Sequence, residues 1–278
     1  MTTLVFLLIL LAATIHAAWN FAAKKVAGDI AVIWIGLVMV CAVFAPFVLF
    51  IDPGQIAFRE VIPFIIASGV FNTFYFFALA RAYEHGEISV VYPVARGFGI
   101  AGTALLAGFL LRESVTSPAA VGIAIVIIGI LLISLRGGHH RHSLLYALLV
   151  GAMTTGYSIT DKFAVGISHP FFYNFAFTVL FTLLLAPYVL IKKQTELKEA
   201  WRTKKKYSFI IGFGTACSYL IILFVLQIAD VSRVIVVREF SVVIGSILGF
   251  IFLKEKFTWR KFAGIAAVVA GIILVKLS

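Results

Sequence analysis

Charge is what this chain has little of. Asp, Glu, Lys and Arg make up 13% of its 278 residues, against 62% hydrophobic residues and a mean hydropathy of +1.10. An ordinary soluble domain carries about 25% charged residues, so a water-soluble globule is excluded. Cysteine is scarce too: Cys41 and Cys217 lie in separate apolar runs, support neither a disulfide framework nor a metal site, and read as small apolar fillers. No nucleotide-binding loop, metal-ligand cluster or nucleophile–base arrangement stands out, and no polar stretch is large enough to form an ATPase. An enzyme is therefore not expected, and no cofactor is implied. The N-terminal apolar stretch has no basic residues before it, which predicts a first helix rather than a cleaved signal peptide.

What the chain does have is ten apolar segments, at 3–23, 30–51, 61–81, 88–111, 118–136, 144–164, 170–191, 207–228, 231–253 and 261–277. Each is close to the ~20 residues a helix needs to cross a ~30 Å hydrocarbon core. The runs are continuous rather than alternating, which excludes a membrane barrel. The net charge of +11 needs no nucleic acid to explain it. Sixteen Lys and Arg follow odd-numbered segments, five follow even-numbered ones, and Arg96 and Arg238 lie within segments. That asymmetry is the positive-inside pattern and puts both termini outside the cytoplasm.

Arg96 and Glu113 recur as Arg238 and Glu255, displaced by 142 positions. Between 94 and 135 this offset gives fifteen identities, among them Phe98/Phe240, Thr116/Thr258, Gly122/Gly264 and Gly129/Gly271. A weaker match at offset 138 links 16–28 with 154–166, pairing Trp19/Tyr157 and Asn20/Ser158. The chain reads as two halves, 1–137 and 143–278, joined by a hydrated Gly- and His-rich turn. Five spans per half is an odd number, so the halves enter the membrane in opposite senses. The expected fold is an all-α membrane protein with ten transmembrane helices in a 5+5 inverted-topology repeat. The basic stretch 192–206 reads as a solvated loop.

An arginine at the centre of a membrane helix costs ~2.5–3.5 kcal/mol on insertion scales unless it faces the bundle or water. Arg96 and Arg238 are therefore placed inward: either Arg96 and Glu239 form a bundle-locking salt bridge, or the two guanidiniums and the carboxylate line a cavity that holds an anionic substrate group. Tyr92 shares the Arg96 stripe, and Pro93 offers a kink one turn before it. His16, Asn20 and Lys24 are spaced four apart with Trp19 beside them; Thr154, Tyr157, Ser158 and Asp161 form the matching stripe. Lys24 and Lys162 read as snorkelling to the headgroups. Asn72 and Tyr75 add polar positions in the third segment. Arg96, Arg238, Tyr92, Trp19, Asn20, Tyr157, Asn72 and Tyr75 are thus the candidate substrate-binding residues, and His16, Glu239 and Asp161 the candidate proton carriers; no metal ligand is expected. Glu113 and Glu255, at span ends, read as local pairing and helix termination, and Gly122, Gly129, Gly264 and Gly271 as close packing.

The strings LLRESVTSPAAVGIAIVIIGILLI (110–133) and FLKEKFTWRKFAGIAAVVAGIILV (252–275), with HAAWN (16–20), resemble the EamA-domain members of the drug/metabolite transporter superfamily. The resemblance covers the whole chain. It implies a cavity among the first, third, fourth, sixth, eighth and ninth helices that opens alternately to each side. The expected function is a secondary active transporter, an exporter of a small polar or anionic metabolite such as an amino acid or phospho-metabolite. The alternatives are a flippase for a lipid-linked phosphate and a multidrug efflux protein, the last disfavoured by the paired arginines. The implied partners are the small-molecule substrate, the lipid bilayer and a coupling proton, and the implied location is the cell membrane, crossed many times. Arg96→Ala is expected to abolish transport with the protein level intact.

Overall fold

The computed structural model describes residues 1–26, 29–85, 88–134, 141–253 and 258–278, and within these the side chains of 24, 80, 83–85, 88–93, 133–134, 141–144, 249 and 253 lie outside the description. The expectations placed on the side chains of Lys24, Tyr92 and Pro93, on Glu255 and on the turn at 137–140 therefore fall outside the description, and 141–142 already belong to a helix. The described chain forms α1 (Thr3–Lys25), α2 (Ile30–Val48), α3 (Phe58–His85), α4 (Ile88–Leu110), α5 (Ser117–Ser134), α6 (Arg141–Ile167), α7 (Pro170–Lys192), α8 (Gln194–Thr203), α9 (Lys205–Ile228), α10 (Val231–Arg238), α11 (Phe240–Leu253) and α12 (Trp259–Leu277). Among the described residues, six stretches are long and apolar enough to cross a membrane: Thr3–Ala23, Ile30–Val48, Phe58–Leu79, Pro170–Lys192, Lys205–Ile228 and Val231–Phe252. Val94–Leu110 and Ser117–Leu132 are shorter apolar helices.

Two features depart from the expected segments. The basic stretch 192–206 is largely helical rather than a loop. Lys193 Nζ lies 2.8 Å from Glu196 Oε1, Ala200 is fully buried, and Leu197 packs on the α2–α7 cluster, so α8 gains one apolar face. The ninth segment is interrupted at Glu239, which separates α10 from α11. Interrupted helices of this kind expose backbone and charge to a cavity in membrane transporters.

The helix ends follow from local chemistry. Asp29 Oδ1 accepts from Ala31 N at 3.0 Å to start α2, and Thr258 Oγ1 accepts from Lys261 N at 3.4 Å to start α12. His169 Nδ1 accepts from Phe171 N at 3.2 Å, with Pro170 at the first helical position of α7. α4 ends on Arg112 at φ 55°, and the next amide, Glu113 N, closes back on Ala107 O at 3.2 Å. That turn aims the Glu113 carboxylate across the bundle. It accepts from Val231 N at 2.7 Å, Ser232 N at 3.1 Å and Ser232 Oγ at 2.6 Å, and so caps α10.

The helices interlock reciprocally: α1 packs on α9 and α3 on α6, α2 packs on α9 and α3 on α7, and α1 packs on α11 and α4 on α6. α5 and α12 cross through their glycines. A Cβ on Gly122 would stand 2.9 Å from Gly271 O, one on Gly271 2.7 Å from Gly122 O, and one on Gly129 2.8 Å from Gly264 O. Only glycine permits that backbone approach. Leu7, Leu105, Phe109, Leu183, Ile191 and Ile251 stand exposed on the outside, an apolar surface suited to lipid rather than water.

Candidate functional site

A pocket opens between α1, α2, α3, α6, α7, α9 and α10, with about 650 Å³ of space free of atoms, part of it open to the outside. Its walls are largely aromatic. Tyr75, Tyr157, Tyr219 and Phe177 meet edge to face, with centroids 6.2, 5.9 and 6.0 Å apart in turn, and Phe76 stacks on Phe181 at 5.0 Å. Such edge-to-face contacts hold the rings rigidly. Asn72, Asn174, Thr178, Thr215 and Ser218 add polar groups to the walls.

Arg238 is the guanidinium on this wall. It is 5% exposed, forms no ion pair with a described residue, and its Nε is a buried donor without a partner. Arg96 sits differently. Its Nη1 lies 3.0 Å from Glu239 Oε1, and its Nη2 donates to His16 Nε2 at 2.8 Å. A guanidinium has no acceptor, so His16 Nε2 must accept and its hydrogen must sit on Nδ1. The His16 ring, in turn, meets Trp19 edge to face at 4.8 Å. Arg96 thus touches the pocket wall through His16, and it is Arg238 that faces the space.

Of the residues singled out from the sequence, the structure brings His16, Trp19, Asn72, Tyr75, Tyr157 and Arg238 to one cavity. Asn20 does not line it, since its Nδ2 donates to His16 O at 2.8 Å within α1. Glu239 lies behind the wall, fully buried against Arg96. Lys162, expected to snorkel, instead donates to the carbonyls of Leu226 and Ala229 at 2.6 and 2.9 Å and caps the end of α9.

Asp161 lies beside the pocket with no exposed surface. Ser68 Oγ and Tyr173 OH donate to its Oδ1 at 2.5 and 2.6 Å, and Tyr219 OH donates to its Oδ2. Sequence reasoning missed these three hydroxyls, and it missed α2 and α7 as walls of the cavity. A signal for α7 was present: Asn174, Thr178 and Thr182 recur every four residues in an otherwise apolar run. Ser68, Tyr173 and Tyr219 belong to three different helices and show no shared spacing.

Comparisons with known proteins agree on one answer. The EamA-like transporter family matches residues 3–135 and again 142–277. A Lactobacillus johnsonii protein named "Putative sugar uptake protein" is 29% identical over 211 residues, covering 70% of this chain and 69% of that one. A solved crystal structure superposes with a TM-score of 0.78 at 13% identity, covering 100% of this chain and 99% of the other, which shows a shared fold. With a family match over nearly the whole length, the chain belongs to the EamA-like transporter family and is a multi-pass transporter of the cell membrane.

Proposed function

We propose that the protein is a secondary transporter of a small polar metabolite bearing an anionic group, bound with that group on Arg238 and its body among Tyr75, Tyr157, Tyr219 and the pocket amides. The observation that carries this is a buried guanidinium on a cavity wall that forms no ion pair with a described residue. Burying a lone charge costs several kcal/mol, and a bound carboxylate or phosphate would offset that cost through paired, charge-assisted hydrogen bonds. Tyrosine faces beside Asn72 and Asn174 suit a hydroxylated body, in keeping with the sugar named for the curated relative.

The scaffold proposed is ten spans in two oppositely oriented halves, 1–137 and 143–278. The reciprocal packing of α1 on α9 and α3 on α6, and the exchanged glycine contacts of α5 and α12, support it. Alternating access would then proceed by one half rocking against the other around Arg238.

A second reading, a neutral sugar, is favoured by the relative's name and the aromatic walls. Counterflow into proteoliposomes with matched pairs, gluconate against glucose and ribose 5-phosphate against ribose, separates the two and reads exchange whichever way the protein works in the cell. Preference for the charged member of each pair supports the proposal. Exchange confined to the neutral sugars overturns it in favour of the second.

A further inference from the structure

We propose that Asp161 is the coupling carboxylate of this transporter and that Tyr219 passes the proton between Asp161 and the pocket. This rests on the transport function proposed above and adds what drives it. Asp161 is fully buried at the α3–α6–α7–α9 junction, and its contacts there are neutral hydroxyls: Ser68 of α3, Tyr173 of α7 and Tyr219 of α9. From α10, Arg238 lines the same pocket as Tyr219. Its neighbour Lys162 is turned away to the carbonyls of Leu226 and Ala229. The other two candidates are engaged, Glu239 by the Arg96 ion pair and His16 Nε2 by the Arg96 hydrogen bond. Of the three candidate proton carriers, Asp161 is the one whose described contacts include no cation, its partners being three hydroxyls.

Each protonation state of Asp161 has a satisfied arrangement. Ionised, it accepts three O–H hydrogens, which stabilise a buried carboxylate. Protonated on Oδ2, it donates to the Tyr219 oxygen, whose own hydrogen then turns to the pocket. Of the three hydroxyl residues, Tyr219 is the one that lines the pocket. A proton arriving from pocket water at the Tyr219 oxygen, while the Tyr219 hydrogen passes to Asp161 Oδ2, leaves tyrosine neutral and the acid protonated, so charge and atoms balance.

Coupling follows from Coulomb's law. An anion docked on Arg238 offsets positive charge on the pocket wall that Tyr219 shares, so anion and proton bind cooperatively and cross together. Binding of one draws in the other.

The test uses the full-length protein in lipid, with infrared difference spectra taken between mildly alkaline and mildly acidic buffer. Acidification is expected to raise a protonated carboxylic-acid band that is absent in Asp161→Asn and shifted in Tyr219→Phe, with both variants melting near the wild type. No titrating band, or one that survives Asp161→Asn, overturns the proposal, and this arm needs no substrate. The second arm uses gluconate and an inward gradient of one pH unit, which one coupled proton converts into about tenfold accumulation. Asp161→Asn is expected to exchange labelled gluconate without concentrating it. Tenfold accumulation by that variant, or accumulation driven by sodium alone, overturns the coupling role. Failure of the wild type to move gluconate counts against the proposed substrate, and the infrared result then decides on Asp161 by itself.

Discussion

Arg96 Nη1 lies 3.0 Å from Glu239 Oε1, and Glu239 adjoins Arg238, the residue that matches Arg96 in the second half. Exchanging the halves would pair Arg238 with a carboxylate at 97, and position 97 is glycine. At this position of the repeat one arginine is neutralised, and the other lines the pocket with no ion pair to a described residue.

The sequence suggested that Arg96→Ala would stop transport without harm to the protein. The structure changes that expectation, because Arg96 and Glu239 have side chains only 10% and 1% exposed. Removing one partner strands the other, a loss of about 3–5 kcal/mol. Arg96→Ala is expected to lower the melting temperature in detergent sharply, and Arg96→Met with Glu239→Leu to regain much of the loss. A single variant that melts like the wild type would contradict the pairing.

Glu113 fastens the start of α10 with three hydrogen bonds, and α10 carries Arg238. Glu113→Ala is expected to cost about 2 kcal/mol and to speed amide exchange at Val231 and Ser232 before other parts of the bundle. Hydrogen exchange read by mass spectrometry checks this. Protection unchanged at those amides would show that the cap is dispensable.

His169, between α6 and α7, caps α7 through Nδ1, and burial holds its imidazole below the usual range. The unfolded chain therefore binds the proton more readily. The cap's contribution is complete above the ordinary histidine value of about 6.5 and is lost as pH falls from there through the lowered folded value. With a partly exposed side chain the effect is no more than about 1 kcal/mol. Melting at the end of α6 and start of α7 should lose this increment on acidification in the wild type but not in His169→Asn, which keeps a capping oxygen. An identical pH profile in the two would refute the assignment.

Much of this was legible in the residues. Apolar runs of spanning length located the helices, since backbone groups in lipid must be satisfied within each segment. Polar groups within such runs are few enough to point at a site, which is why His16, Asn72, Tyr157 and Arg238 could be named and why six candidates meet at one cavity. The periodic stripes gave each helix face. They could not say which faces meet, so the Ser68–Tyr173–Tyr219 cage around Asp161 was invisible. Nor could they separate Arg96 from Arg238, because the choice between ion pair and open guanidinium depends on a third helix. The helix in 192–206 was hidden for a related reason: its stability comes from packing Leu197 and Ala200 on the bundle rather than from its own polar sequence.

The central claim is that Arg238 receives the negative charge of the substrate, and Arg238→Gln in reconstituted vesicles tests it most directly. Gluconate counterflow by the wild type and the variant is compared with glucose counterflow at equal protein. Loss of a charge-assisted contact worth about 1.5–3 kcal/mol predicts a tenfold to hundredfold weaker response to gluconate, with a much smaller change for glucose. Equal losses for the charged and the neutral solute, or gluconate exchange at the wild-type level, would contradict it.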